Sequence, residues 1–299
     1  MSSGTSFSLR RGHLDNSRVN LQHYLWVKQF GYLLHPDIPT EKKDMRIADI
    51  GTATGIWLID LAETLPPSVQ LDGFDITLDA TPPSKWLPSN VTLQHWDART
   101  EPPREWIGTY DVVHIRLFAI AFDEREAVSM LSRLRKLLKP GGYLQWAEVD
   151  MSSCSIERTH PSNKADPITE LLSHSNKEYT TEDWTWCPKL PDLFIREGFE
   201  NIRQDVRDTP PHLLAPTDEC SLFLLDSWVR RMMNGTGQGA KYRALMQQVE
   251  REASQGSVWK FTRWTVVGRK PFKDVGGEGL ETTPVDRDAH PGGHLFFPY

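Results

Sequence analysis

The 299 residues suffice for one sizeable core with a small cap, since single domains grow to roughly 250 residues before splitting. A hydrophobic fraction of 38% and a charged fraction of 25% exclude a largely disordered chain, and the net charge of -6 argues against a broad phosphate-binding surface, so nucleic acid is not an expected partner. No run nears the ~18 apolar residues of a membrane span, and the N-terminal "MSSGTSFSLRRGHLDNSR" lacks the apolar core of a signal peptide, so a cytoplasmic protein without a membrane partner is expected.

Residues 1–40 read as an N-terminal helical cap, with "NSRVNLQHYLWVKQFGYLL" over 16–34 as an aromatic, helix-compatible segment. From Met45, short apolar runs alternate with helical patterns. "MRIADI", "VQLDGFDI", "NVTLQHWD", "YDVVHIR" and "GGYLQWAEV" read as strands, each bounded by turn residues and too apolar on both faces for a half-exposed hairpin. Between the fourth and fifth, Val128, Leu131, Leu134 and Leu138 recur at helical spacing, and "KPGG" ends that helix. Further strands are expected in "GFENIRQDVRD" and "VWKFTRWTVVGRK", with helices near 217–233 and 239–254. Right-handed crossovers between such units give an α/β fold, a doubly wound Rossmann-like sheet of seven strands. The sheet is mostly parallel, antiparallel at the edge formed by the late strand pair, and carries helical cap elements. The domain spans 41–270, with cap insertions near 152–187 and 212–256. The Gly- and Pro-rich 271–299, closing in "LFFPY", reads as a flexible tail.

Three cysteines far apart, Cys154, Cys187 and Cys220, offer neither a disulfide framework nor a metal pair. No metal site is expected, since His290 and His294 fall in the tail. Eleven tryptophans suit a small-molecule cavity, although any single one is more simply core.

In this fold, ligands bind at the carboxyl ends of the strands. There "ADIGTATGIW" sets Gly51, Thr52, Ala53, Thr54 and Gly55 behind Asp49, without dinucleotide glycine spacing or a Walker-type lysine. Asp75 ends the next strand, where a carboxylate can accept both hydroxyls of a ribose. Asp97, beside Ala98, ends the third, where it can accept from an exocyclic amine. Three acids at successive strand ends suit an adenosine-bearing ligand that lacks phosphate and is cationic elsewhere, which describes S-adenosylmethionine. Each acid alone could equally cap a helix or form a turn.

Taken together, "ADIGTATGIWLIDLA", "GFDI", "LPSNVTLQHWDA", "YDVVHIR" and "LLKPGGYLQWAEVD" resemble the class I S-adenosylmethionine-dependent methyltransferases. The likeness is to the fungal, LaeA-like group that modifies specialised metabolites, and it covers residues 45–150. The resemblance implies that Asp49, Gly51, Thr52, Ala53 and Gly55 surround the methionine part of the cofactor, Asp75 and Ile76 the ribose side, and Asp97 with Ala98 the adenine. Ala53 stands where the family usually has glycine, a change that is tolerable where this residue keeps negative φ.

Methyl transfer from a sulfonium needs orientation and exclusion of water more than a dedicated base. His114, at the end of the fourth strand, is the candidate catalytic base and a cofactor neighbour, with hydrogen bonding to backbone or cofactor as the other reading. Tyr24, Arg116 and Glu148 are candidates for substrate contact, and His23 could cover the methyl group. The expected activity is methylation of an oxygen, nitrogen or sulfur atom of a small metabolite. The alternatives are a pericyclase or cyclase on the same fold, and a LaeA-like regulatory protein. Nothing in the sequence marks the oligomeric state.

Overall fold

The computed structural model describes residues 12–119, 121–171, 185–232 and 239–273. The expected tail beyond 273, with His290, His294 and "LFFPY", and residues 172–184 of the expected insertion lie outside the described residues.

Seven strands form one sheet in the order β3-β2-β1-β4-β5-β7-β6. They are β1 (Arg46–Ile50), β2 (Gln70–Asp75), β3 (Val91–His95), β4 (Tyr110–Arg116), β5 (Leu138–Arg158), β6 (Glu200–Asp208) and β7 (Ser257–Arg269). β1 pairs in parallel with β2 and β4, and β7 runs antiparallel between β5 and β6. The switch of strand order therefore falls between β1 and β4, where a ligand crevice opens in doubly wound sheets.

Both faces of the sheet are covered, and the two-residue period of a strand decides which side chain meets which layer. Ala48, Ile50, Val113 and Ile115 join the core that includes Leu131 and Leu134 of α3 (Glu124–Leu137) and Phe194 of α4 (Leu190–Arg196). Ile47 and Val112 join Trp57, Leu58 and Leu61 of α2 (Ile56–Thr64). By the same alternation Asp49 and His114, opposite each other in the β1–β4 register, face the α2 layer.

α1 (His13–Phe30) ends at Gly31, whose φ of 75° supplies the left-handed cap. α5 (Pro211–Met232) begins six residues before the expected start and carries Pro216 inside it, and α6 (Gly239–Ser254) follows. Leu222 of α5, Tyr242 and Val249 of α6, Ile168 and Trp259 form a separate small core. This cap layer stands beyond the main sheet.

Two expectations need correction. Val128 is 40% exposed and Leu138 already belongs to β5. Leu131 and Leu134 do face inward, and the rest of the α3 stripe is Ala127, Met130 and Leu137, with Ala127 and Leu137 one step before the two residues that miss. The sheet also does not stop near Val149. β5 takes in "KPGG" at one end, with a register shift against β4, and runs on to Arg158, pairing with Ser257–Lys260 of β7. Residues 151–158 stand off the core, so no apolar run marks them as strand.

Candidate active site

The turn after β1 is left-handed at three positions, with φ of 70° at Gly51, 55° at Ala53 and 76° at Gly55. Its amides are anchored on β2: the N–H groups of Gly51 and Thr52 donate to the Phe74 carbonyl at 2.7 and 3.0 Å. Ala53 N–H donates to Asp75 Oδ2 at 2.9 Å, and Thr77 N–H donates to Asp75 Oδ1 at 3.2 Å. The condition under which alanine is freely tolerated here, a negative φ, is therefore not met. A left-handed alanine costs roughly 1–2 kcal/mol in steric strain, and the charge-assisted bond to Asp75, worth about 1.5–3 kcal/mol, is large enough to hold it.

Asp49 is 4% exposed and His114 2%. Their contact, His114 Nδ1 to Asp49 Oδ1, is 2.7 Å, and the imidazole lies stacked on the Trp57 indole at 3.9 Å between centroids. Burial lowers the His114 pKa, against the pull of Asp49. The ring is thus neutral near pH 7, with its Nδ1 proton donated to Asp49.

The other strand-end residues lie around the same edge. Trp96 N–H donates to the Asp75 carbonyl, and Asp97 accepts the Arg99 N–H at Oδ1. Ala98 is buried, whereas Ile76 is 53% exposed although apolar. Thr52 Oγ1 is buried with no hydrogen-bond partner. A cavity of about 430 Å³ lies next door, between Arg99 and the first turns of α3, and holds none of the expected site residues.

α1 closes over this edge through residues three apart. Thr54 Oγ1 donates to Asn20 Oδ1 at 2.7 Å. His23 Nδ1 accepts from Arg116 Nη2 at 3.1 Å, so its proton sits on Nε2, which meets Asp60 Oδ2 at 2.9 Å. Burial and then the Arg116 charge lower the His23 pKa to about 4. Tyr24, 50% exposed, packs edge-on against His23 at 5.1 Å. The motif-based reading did not use Asn20, Trp26 or Asp60. The signal was there in the spacing of Asn20, His23 and Trp26, a polar and aromatic stripe along one helix face.

Glu148 is wholly buried. Its Oε1 accepts from Phe118 N–H at 2.7 Å and Trp146 Nε1 at 2.8 Å, and its Oε2 accepts from Ala119 N–H at 3.1 Å. Burial pushes its pKa up to about 7 against these donors. Glu148 therefore pins the loop after β4, where Leu117 has a φ of 66°. That loop sets the Phe118 ring on Gly51, so closely that a Cβ at Gly51 would stand 2.4 Å from Phe118 Cζ.

The turn fits a nucleoside that carries no phosphate. It offers the orphaned hydroxyl of Thr52, strand-end carboxylates in place of a phosphate-binding lysine, and glycines at two of its three left-handed positions.

Comparison with known proteins agrees with this chemistry. Residues 48–144 match the family described as a methyltransferase domain. The N-methyltransferase verN of Clonostachys rogersoniana is 36% identical over 204 residues, 68% of each chain. The N-methyltransferase gliN of Aspergillus fumigatus is 27% identical over 280 residues, 86% of this chain and 94% of its own. The secondary metabolism regulator LAE1 of Hypocrea atroviridis is 24% identical over 152 residues, 50% of this chain and 42% of its own.

Two outcomes follow from this geometry. Ala53→Gly relieves the left-handed strain by about 1 kcal/mol after the entropy of the freer unfolded chain is counted, so the melting temperature should rise by about 2–4 °C; a fall would contradict the assignment. His23 is held neutral in the fold down to about pH 4, while in the unfolded chain it takes up a proton below about pH 6.5. Its contribution to stability is therefore full above pH 6.5 and is lost as pH falls towards 4. Denaturant titrations across that window should give a smaller pH slope for His23→Gln than for the parent, and equal slopes would refute the neutral clamp.

Proposed function

The chain belongs to the class I S-adenosylmethionine-dependent methyltransferases, in the group serving fungal specialised metabolism, and from that premise we propose that it methylates a nitrogen of a small metabolite. The choice of nitrogen is supported by the relatives verN and gliN, both named N-methyltransferases. The observation that carries the cofactor assignment is the left-handed turn tied to the Asp75 carboxylate. A strand-end carboxylate can accept both hydroxyls of a ribose, and Asp75 is assigned to them. Asp97 is assigned to the adenine amine, with Ala98 and the exposed Ile76 as apolar neighbours of the base. Asp49, Gly51, Thr52, Ala53 and Gly55 are assigned to the methionine part.

When bound, S-adenosylmethionine supplies a methyl group already activated by its sulfonium charge. The residues of the chain then have to orient and to exclude water. His114, buried between Trp57 and Asp49, acts through Asp49 and is assigned as a positioning residue. Glu148 fixes the loop that carries Phe118, and that ring turns aside from Gly51 when a ligand reaches this face. α1, held on the turn by Asn20 and on β4 by His23, serves as the lid, with Tyr24 and Arg116 on the acceptor side. Among the described residues no helix is long and apolar enough to cross a membrane. The three cysteines are free, which supports a cytoplasmic site of action.

The test is calorimetric and then chemical. The parent should bind S-adenosylmethionine, and the isosteric Asp75→Asn should bind it at least about tenfold more weakly, because charge-assisted bonds to the ribose are lost. Incubation with metabolite extracts should yield a product heavier by one CH2. No heat at millimolar cofactor would remove the cofactor reading, and a product of unchanged mass would mark a cyclase instead.

A further inference from the structure

Among the described residues, two guanidiniums, Arg116 and Arg263, have no carboxylate within ion-pair distance. Arg263 on β7 stands opposite Val149, and Arg116 on β4 stands opposite Ala147, so the two flank the middle of β5 from either side. Both also lie against one indole, with their guanidinium carbons 5.8 and 5.6 Å from the Trp26 centroid. Arg263 is 8% exposed, and its Nη1 donates to Thr209 Oγ1 at 2.6 Å and Gln29 Oε1 at 3.1 Å. Arg116 donates to His23 Nδ1. All of these acceptors are neutral. Asp49 reaches Arg116 only through space, and its Oδ1 is engaged by His114.

An arginine cannot shed its proton to escape burial. A desolvated cation needs a counter-charge, and two cations sharing one ring repel each other. The indole face compensates only in part. Beside Arg263 a cleft of only about 10 Å³ lies between α1 and α5, walled by Gln22, Thr217, Cys220 and Ser221, so α1 has to lift before a carboxylate can enter. It supplies polar neighbours but no charge.

We propose that Arg263, sharing the Trp26 ring with Arg116, receives a carboxylate of the acceptor, so that the substrate is an anionic small molecule. A guanidinium fork matches a carboxylate in geometry as well as charge. The inference rests on the methyltransferase reading of the neighbouring turn. The carboxylate of the cofactor's methionine part is the other source of the same chemistry, and the experiment separates the two.

Benzoate and its neutral isostere benzamide are titrated into the full chain, with and without S-adenosylhomocysteine. Benzoate should bind the parent at least about tenfold more tightly than benzamide. Arg263→Met should abolish that preference while changing S-adenosylhomocysteine affinity less than about twofold, and Arg263→Lys should keep part of it. Equal binding of the two probes to the parent overturns the proposal. So does an Arg263→Met variant that loses S-adenosylhomocysteine and keeps benzoate, because the carboxylate would then be the cofactor's. Should Arg263→Met fail to fold, the benzoate preference of the parent and its retention in Arg263→Lys decide. A parent that prefers benzoate yet ignores S-adenosylhomocysteine sinks the methyltransferase reading and leaves the anion site standing.

Discussion

A backbone that runs left-handed at Gly51, Ala53 and Gly55 has to be held there by something stronger than its own preference, and the Asp75 carboxylate supplies that hold. Parallel pairing of β1 with β2 sets Asp49 beside Gly73, which brings the turn after one strand over the end of the next. The Phe74 carbonyl takes two of the turn's amides and Asp75 a third. The same carboxylate is the one we assign to the ribose. On that assignment, turn geometry and cofactor recognition share one side chain.

Around that point the sheet, the helix layers and α1 fix each other. Strand alternation turns Asp49 and His114 to the α2 face, where Trp57 stacks on the imidazole. On the cap side, His23 links Arg116 of β4 to Asp60 of α2 through a neutral ring. A protonated His23 would set a third cation near Arg116, so the network is stable only while that ring stays uncharged. The loop after β4 is held from beneath by Glu148, which leaves Phe118 as the side chain that meets the glycine turn.

Much of this was legible in the residues themselves. β1, β2 and β4 are buried on both faces and read as apolar runs, whereas β3 at the sheet edge is half-exposed, and Asp49, Asp75 and Asp97 stand at strand ends where turn residues cluster. What escaped depends on contacts distant in the chain. The conformation of Ala53 is set by a carboxylate 22 residues away, so φ at that position carries no local signature. Residues 151–158 carry no continuous apolar run because they stand beyond the main core, with only Ile156 packing on the small cap core, and their pairing with β7 makes them strand. Arg263 sits in a run that reads as an ordinary strand, and its meaning emerges only when Trp26 is laid against it. The abundance of tryptophan was ambiguous, and the structure uses Trp57, Trp146 and Trp186 as core.

The central claim is that Asp75 both holds the turn and binds the cofactor's ribose. A crystal structure of the chain with S-adenosylhomocysteine tests it most directly. The account requires the ribose hydroxyls on Asp75, the Ala53 amide still donating to that carboxylate, and the Phe118 ring displaced from Gly51. A nucleoside bound elsewhere, or one bound here with its ribose away from Asp75, would contradict it.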